Sequence, residues 1–395
     1  MHIFLNCDNV IATASVGQTI PSEIHMHINH KGLLIAALAS VIAPSASAQY
    51  WNLGFLNFAS SASGDGSVVA GYHGETFFKW TASGGLEDIG GYFSAGTATI
   101  STDGSKIGGS AINTSTGNSE MALYNMGSET WTTLGGIGGS SDGSTSSGWS
   151  LSGDGSTSVG LGWVDAGTAH AIKYQAGTTT DMGSTVTDRS SRANGVNNDG
   201  STIVGWQDSE DGFRQGAVWK NGVQTLLFDN ASNQLGEASD VSANGEWVVG
   251  EGVWGNGGEA WRWSESTGYL SLGAPLSFGD SAAAVGISDD GNTIVGFSRG
   301  FGPATWGQGF IWTADGGMTN LTSYVTGLGI DLQGTTLALP LGISADGRTI
   351  VGLDSTANGF VVQLPAPVPE PASMAALGIG ALGMLARRRR SKSTK

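Results

Sequence analysis

Between about residues 50 and 365 the apolar positions recur with a period of two, in short runs broken by Asp-Gly or Asn-Gly. That alternation puts successive side chains on opposite faces of a strand, and runs bounded in this way read as hairpins. The clearest example is AAAVGIS (282–288), followed by DDGN and then TIVGF (293–297). Asp-Gly and Asn-Gly suit the tight turn because its central residues need positive φ.

The unit repeats seven times: GDGSVVAGY (64–72), TDGSKIGGS (102–110), GDGSTSVGL (153–161), NDGSTIVGW (198–206), ANGEWVVGE (243–251), DDGNTIVGF (289–297) and ADGRTIVGL (345–353). The turn glycines Gly66, Gly104, Gly155, Gly200, Gly245, Gly291 and Gly347 are 38, 51, 45, 45, 46 and 56 residues apart. After each hairpin and a variable loop comes a third strand ending in an aromatic residue: Trp80, Tyr124, Tyr174, Trp219, Trp263 and Trp312, with Val362 in that register in the seventh unit. A Gly turn then leads to a fourth strand, as in LEDIG (86–90), WTTLG (131–135) or YLSLG (269–273). Four strands in such a repeat make the length of one propeller blade.

The last unit has no fourth strand after FVVQL (360–364), whereas YWNLG (50–54) reads as a fourth strand with no third strand before it. The pattern therefore predicts an all-β fold, a seven-bladed β-propeller of four-stranded antiparallel blades closed by an N-terminal strand. Closure also protects the strand edges. The alternative is an open β-repeat solenoid, which gives no reason for the orphan strand at one end to match the gap at the other.

The two ends follow other patterns. Lys31 precedes the apolar stretch Gly32 to Ala43, and Ala46-Ser47-Ala48 is a small-residue cleavage site. This reads as a signal peptide with Gln49 as the first mature residue. Residues 1–25 lack a basic region and carry Asp8 and Glu23, so the reading places the true start at Met26. Near the other end, Pro369-Glu370-Pro371 precedes an apolar run from Ala372 to Ala386 and then Arg387, Arg388, Arg389 and Arg390. As a short hydrophobic helix this run would be about 22 Å long, marginal as a transmembrane helix against a bilayer core of about 30 Å. The arginines would stay cytoplasmic, so the segment reads as a temporary anchor. The expected organisation is 1–48 leader, 49–367 repeat domain and 368–395 sorting segment.

Pro-Glu-Pro, the apolar run and the Arg cluster, in that order, resemble a PEP-CTERM sorting signal. The resemblance implies recognition by an exosortase in a Gram-negative envelope, transient inner-membrane anchoring, cleavage near the Pro-Glu-Pro and delivery to the cell surface or extracellular matrix. The repeats are similar to the HAF family of extracellular repeats, with His170-Ala171-Ile172-Lys173-Tyr174 the closest copy; QGAVW (215–219), EAWRW (259–263) and QGFIW (308–312) depart from the name motif. That resemblance implies a secreted repeat protein and brings no established chemistry.

Composition narrows the chemistry. The one cysteine, Cys7, lies in the leader, so disulfides, thiolate metal sites and a Cys nucleophile drop out. Residues 1–48 and 372–395 hold seven of the 17 basic residues and two of the 33 acidic ones, leaving 10 basic, 31 acidic and a net charge of −21. Such a surface repels nucleic acid and anionic lipid. The turn aspartates Asp65, Asp103, Asp154, Asp199, Asp290 and Asp346 suggest calcium loops, but calcium wants six or more oxygens. One or two carboxylates in a hairpin read as turns; Asp289-Asp290 is the densest pair. No cofactor is expected beyond that weak calcium signal. The third-strand aromatics read as inter-blade packing. His73 and His170 lie in different units, and His170, at the repeat's own motif position, reads as a local hydrogen-bonding group rather than a general base. No HExxH, nucleophile elbow, Walker loop or dinucleotide fingerprint is present.

Loop length varies on one rim, at 163–169, 207–214, 251–259 and 299–308. These loops carry the candidate ligand-binding residues Trp163, Asp165, Asp208, Glu210, Asp211, Trp254, Arg299, Phe301 and Trp306. Aromatics beside carboxylates suit sugar rings, which present CH faces and hydroxyls together, and function tends to sit on variable loops held by a rigid scaffold. The first functional reading is a non-enzymatic surface or matrix protein that binds exopolysaccharide or another envelope component through this rim. A glycan-active hydrolase or lyase, and a purely structural matrix component, are the alternatives.

Overall fold

The computed structural model describes residues 48–366, apart from 94, 139–144, 166, 253–257, 274–280 and 301. The leader and the sorting segment, including the cleavage residue Ala46 and the predicted helix, lie outside the described residues. Among the described residues no helix is long and apolar enough to cross a membrane.

Each repeat folds as one four-stranded antiparallel sheet in simple sequence order. Blades 1 to 6 span 58–90, 99–133, 146–183, 191–226, 238–271 and 281–320. Blade 7 takes three strands from 337–363, and its fourth is the N-terminal strand Gln49–Phe55. That strand runs antiparallel to Asn358–Gln363, with Gln49 opposite Gln363 and Tyr50 opposite Val362. The predicted circular closure is therefore present, and the chain is a seven-bladed propeller rather than a solenoid. Tyr50 turns toward blade 6, packing with Val295 and Ile311, while Trp51 and Leu53 turn toward blade 1.

The hairpin turns work as expected, with a partner that the dipeptide alone does not announce. In blade 6 the Ser288 hydroxyl donates to Asp290 Oδ1 (2.6 Å), which also accepts from the Asn292 amide (3.0 Å). Ser288 Oγ in turn accepts from the Thr293 amide (3.1 Å). Ser63, Ser101, Ser152 and Ser344 repeat the contact with Asp65, Asp103, Asp154 and Asp346, and Ser242 with Asn244. In blade 4 Asn197 takes the serine's place, accepting from the Thr202 amide at 2.9 Å. The carboxylates that resembled calcium ligands are thus spent on the turns themselves.

The glycine of the second strand has a different cause. In most blades the inner strand carries a β-bulge, for example between Ala193 and Gly195 or Ala284 and Gly286. The bulge presses an inner-strand carbonyl onto the neighbouring strand. A Cβ on Gly160, Gly205, Gly296 or Gly352 would overlap the carbonyl oxygen of Ser147, Arg192, Ala283 or Leu339. Glycine recurs there because it alone lets the two backbones approach so closely.

Blades are joined by packing and by a backbone belt. Trp80 packs on Val351 and Val361 of blade 7, Tyr124 on Phe77 of blade 1, Trp219 on Val159 of blade 3 and Trp312 on Val249 of blade 5. These third-strand aromatics are inter-blade packing, as their recurrence predicted. Along the Asp-Gly rim, one backbone bond crosses each of six junctions: Gly64 N to Thr102 O, Thr102 N to Gly153 O, Asp154 N to Asn198 O, Asn198 N to Ala243 O, Asp289 N to Ala345 O and Asp346 N to Gly64 O. Between blades 5 and 6 a side chain substitutes: Asp240 Oδ2 accepts from the Ile287 amide at 3.1 Å. Between blades 6 and 7 the chain adds the short helix Leu321–Gly327, capped by Asn320, whose Leu321 and Val325 join the core.

Two outcomes are expected. Deleting residues 49–55 removes Tyr50, Trp51 and Leu53 from their packing and should lower stability by about 5–9 kcal/mol at ~1.5–3 kcal/mol per large apolar side chain; an unchanged denaturation midpoint would refute closure. Gly205→Ala forces the Arg192 carbonyl off its position and should cost about 2–3 kcal/mol, read from the shift in thermal midpoint.

Candidate binding site in the central channel

The bulge decides what faces the axis. The residue that it leaves unpaired is Ser60, Trp149, Asn194, Ser239, Val285 or Leu341 in successive bulged blades, and all six line one axial cavity of about 320 Å³. Part of the wall is small or hydroxylic, including Ser61, Thr97, Thr99, Thr102 and Ser150. On the side of blades 3, 4 and 5 stand Trp149, Arg192 and Glu237.

These residues touch one another. The Arg192 guanidinium lies 3.7 Å from the Trp149 ring centre and 5.2 Å from that of Trp206. Its Nε donates to Asn194 Oδ1 (2.7 Å) and its Nη2 to Glu237 Oε2 (3.0 Å). Asn194 Nδ2 then donates to the Ala238 carbonyl (2.8 Å), fixing the blade 4–5 contact. Glu237 Oε1 pairs with Arg214, whose guanidinium sits 4.3 Å from the Trp206 ring centre. One carboxylate therefore holds two guanidiniums around an indole. The Arg192 and Glu237 side chains are 14% and 10% exposed. Burial pulls Arg192 down to about 10, against the pull of Glu237, so it stays charged at neutral pH. Removing either partner would strand a buried charge, which is strongly destabilising.

A second chemical feature lies toward the Asp-Gly rim. Asp240 lines the cavity and is half-buried, with protein on its other sides. Burial pushes its carboxyl up to about 7, although the Val241 and Ile287 amides hydrogen-bond to it. Asp289, also in the wall, is raised by burial and by Asp290 and Asp346. The turn carboxylates move the other way: hydrogen bonds from Ser67, Ser101 and Ser201 hold Asp65, Asp103 and Asp199 below the usual range.

The residues expected from loop composition are scattered. Asp208 is the one beside the cluster. It pairs in register with Arg214, and burial raises its carboxyl against the pull of Arg214 and Arg189. Trp163 ends the second strand of blade 3 opposite Ala169. Asp165 accepts from the Gly167 and Thr168 amides (2.8 and 2.7 Å), and Asp211 from the Ser209 hydroxyl (2.6 Å), so both shape turns. Glu210 is exposed, and its carbonyl accepts from Arg189. Arg299 ends the second strand of blade 6 near Phe297, and Trp306 is 74% exposed in a short 3-10 turn. Trp254 and Phe301 lie outside the described residues. His170 bonds Asp181 at 2.9 Å, the local role expected of it, and His73 contacts Asn57 and Asp88. Trp149, Arg192, Trp206, Arg214, Glu237 and Asp240 were missed. The available signal was a break in the repeat: Trp149 is the aromatic at a position held elsewhere by Ser60, Asn194, Ser239, Val285 or Leu341, and two positions earlier Arg192 and Glu237 are charged where other blades have Phe58, Ser147, Ala283 or Leu339. No group of three or more His, Cys, Asp or Glu among the described residues is arranged to hold a metal ion.

Residues 367–390 match the PEP-CTERM protein-sorting motif. No curated protein matches the chain in sequence. Among solved structures, the β-propeller domain of the Trilobed protease from Pyrococcus furiosus, described as having an open velcro topology, is 13% identical over 78% of this chain and 96% of that one, with a TM-score of 0.50. A chain of the Mitotic Checkpoint Complex is 15% identical over 91% of this chain and 99% of that one, also at 0.50. TolB from Acinetobacter baumannii is 14% identical with a TM-score of 0.42. The chain covers 77% of its own length in that match and spans 65% of the TolB chain. The two likenesses at 0.50 speak to the propeller fold alone.

The raised Asp240 carboxyl has a stability consequence with a definite sign. Its folded value lies above the unfolded one, so the folded state binds the extra proton between about pH 4 and 7. Stability should therefore fall as pH rises through that window, by up to about 4 kcal/mol before channel water screens part of it. Thermal melts at pH 5, 6, 7 and 8 should show the decline, and Asp240→Asn should flatten it.

Proposed function

We propose that the protein is an extracellular binding module that holds a glycan or another envelope component at the channel mouth on blades 3 to 5. The PEP-CTERM motif implies exosortase processing and delivery to the cell envelope or surface after membrane anchoring. The observation that carries the binding reading is the Trp149–Arg192–Glu237 cluster in a cavity of about 320 Å³ whose wall also carries serine and threonine hydroxyls. An indole, a guanidinium and a carboxylate beside serine and threonine hydroxyls offer a sugar both a flat apolar surface and paired donors and acceptors. Asp208, Trp163 and the exposed Trp306 extend the same reading onto the long-loop rim. Calcium is not required by this reading.

A second reading rests on Asp240. A carboxyl pushed up to about 7 is half-protonated at neutral pH, as a general acid in glycoside cleavage must be. It shares the cavity wall with Glu237 and Asp289. The enzyme reading is therefore a glycan hydrolase or lyase.

One experiment separates the two. The purified protein is titrated with an array of bacterial exopolysaccharides, with and without calcium, and each bound glycan is sized for cleavage. Binding without cleavage, weakened at least tenfold in Trp149→Ala, is the expected result. Cleavage lost in Asp240→Asn would establish the enzyme reading instead, and binding unaffected by Trp149→Ala would remove the channel mouth as the site.

A further inference from the structure

A second cavity, of about 330 Å³, opens on the opposite rim, where the closing strand meets blade 1. Its walls include Trp51 from the closing strand, Trp80, Ser67, Thr81 and Ser83 from blade 1, and Gln363 from the last strand of blade 7. The two indoles meet edge to face, with ring centres 5.3 Å apart and planes at 66°. The lining contains no charged residue, although the repeat domain as a whole is strongly acidic. The wall also contains Thr349, whose hydroxyl is buried and has no hydrogen-bond partner in the protein.

Propeller geometry does not call for Trp51. Its fourth-strand position is the one paired with the residue just before the third-strand aromatic, here Val361. The same position in blades 1 to 6 holds Glu87, Thr132, Thr180, Thr225, Leu270 and Thr319. All six are exposed. Five are polar, and no other blade places an aromatic there. Packing against Trp80 does not need a tryptophan at this position, since the equivalent Tyr124 and Trp219 make their inter-blade contacts with Glu87 and Thr180 at the corresponding site of the preceding blade.

We infer that this cavity is a binding site for a neutral saccharide, stacked on Trp51 and hydrogen-bonded by the serine, threonine and glutamine side chains around it. An indole face meets the CH face of a pyranose, and neutral hydroxyls and an amide match its hydroxyls without desolvating a charge. The size lies at the small end of ligand pockets, about 300–1,000 Å³, which suits a terminal sugar or a disaccharide. The chemistry is read from this cavity's own walls and does not depend on the channel site. The ligand would bridge the closing strand and blade 1, so binding would also hold the ring shut and raise the melting temperature by mass action. With the channel mouth on the other rim, two sites on opposite faces would let one molecule join two glycan chains.

The test is titration of the purified protein with glucose, galactose, mannose and their short oligomers, followed by tryptophan fluorescence and thermal midpoint. The expected result is a saturable change with at least one sugar, weakened more than tenfold in Trp51→Ala and in Ser83→Arg but retained in Trp149→Ala. Ser83 is exposed in a turn, so Ser83→Arg obstructs the cavity without touching the core and guards against Trp51→Ala merely loosening the closure. A signal equally strong in Ser83→Arg, or no saturable signal with any sugar of the panel, overturns the inference. Loss in Trp149→Ala alone would place the binding in the channel and overturn it as well.

Discussion

The pairing of Gln49–Phe55 with Asn358–Gln363 makes a ring out of what would otherwise be a row of sheets. Each blade buries its faces against its two neighbours, so an open ring would leave two faces in water. The contact joins the first and last parts of the repeat domain, and the domain has no cysteine with which to lock it. Closure rests on strand hydrogen bonds and on Tyr50, Trp51 and Leu53 packing to either side. A ring held this way is complete only once the last blade exists.

The two rims divide the work. The Asp-Gly rim is built from short turns whose carboxylates are tied to serines, and its backbone belt crosses six of the seven junctions. The seventh relies on a half-buried carboxyl, Asp240, which ties that junction to pH. The long-loop rim carries the variable segments and the entrance to the Arg192–Glu237–Arg214 network. The belt and the Arg192 network are thereby placed at opposite ends of the same strands, while Asp240 and the cavity at Trp51 lie on the belt's side. The inner-strand bulge links them, because it demands glycine on the second strand and aims one side chain per bulged blade at the axis.

Candidate chemistry sits where the repeat is broken. Trp149 is an aromatic at a bulge position that is otherwise non-aromatic, Arg192 and Glu237 are charged where the other bulged blades are uncharged, and Trp51 stands where five of the other six blades have a polar residue. In a repeat protein the common pattern answers to packing, so departures from it are free to answer to something else. Loop composition was a poorer guide. Asp165 and Asp211 look like ligands in a line of sequence, but their oxygens close local turns.

The sequence by itself determined the blade count, the strand order, the closing strand, the Asp-Gly turns and the role of the third-strand aromatics. All of these follow from local periodicity, turn stereochemistry and a repeat unit whose gap at one end matches its surplus at the other. Tertiary structure alone decided which side chains meet. Trp149, Arg192 and Glu237 come from three blades and are separated by about one repeat each, and Trp51 lies far along the chain from Gln363. No spacing rule links such residues, because their proximity is created by the curvature of the ring and by bulges that shift strand register by one residue. Periodicity therefore reports the blade, while the axis and the inter-blade cavities exist only once the blades are arranged in a circle.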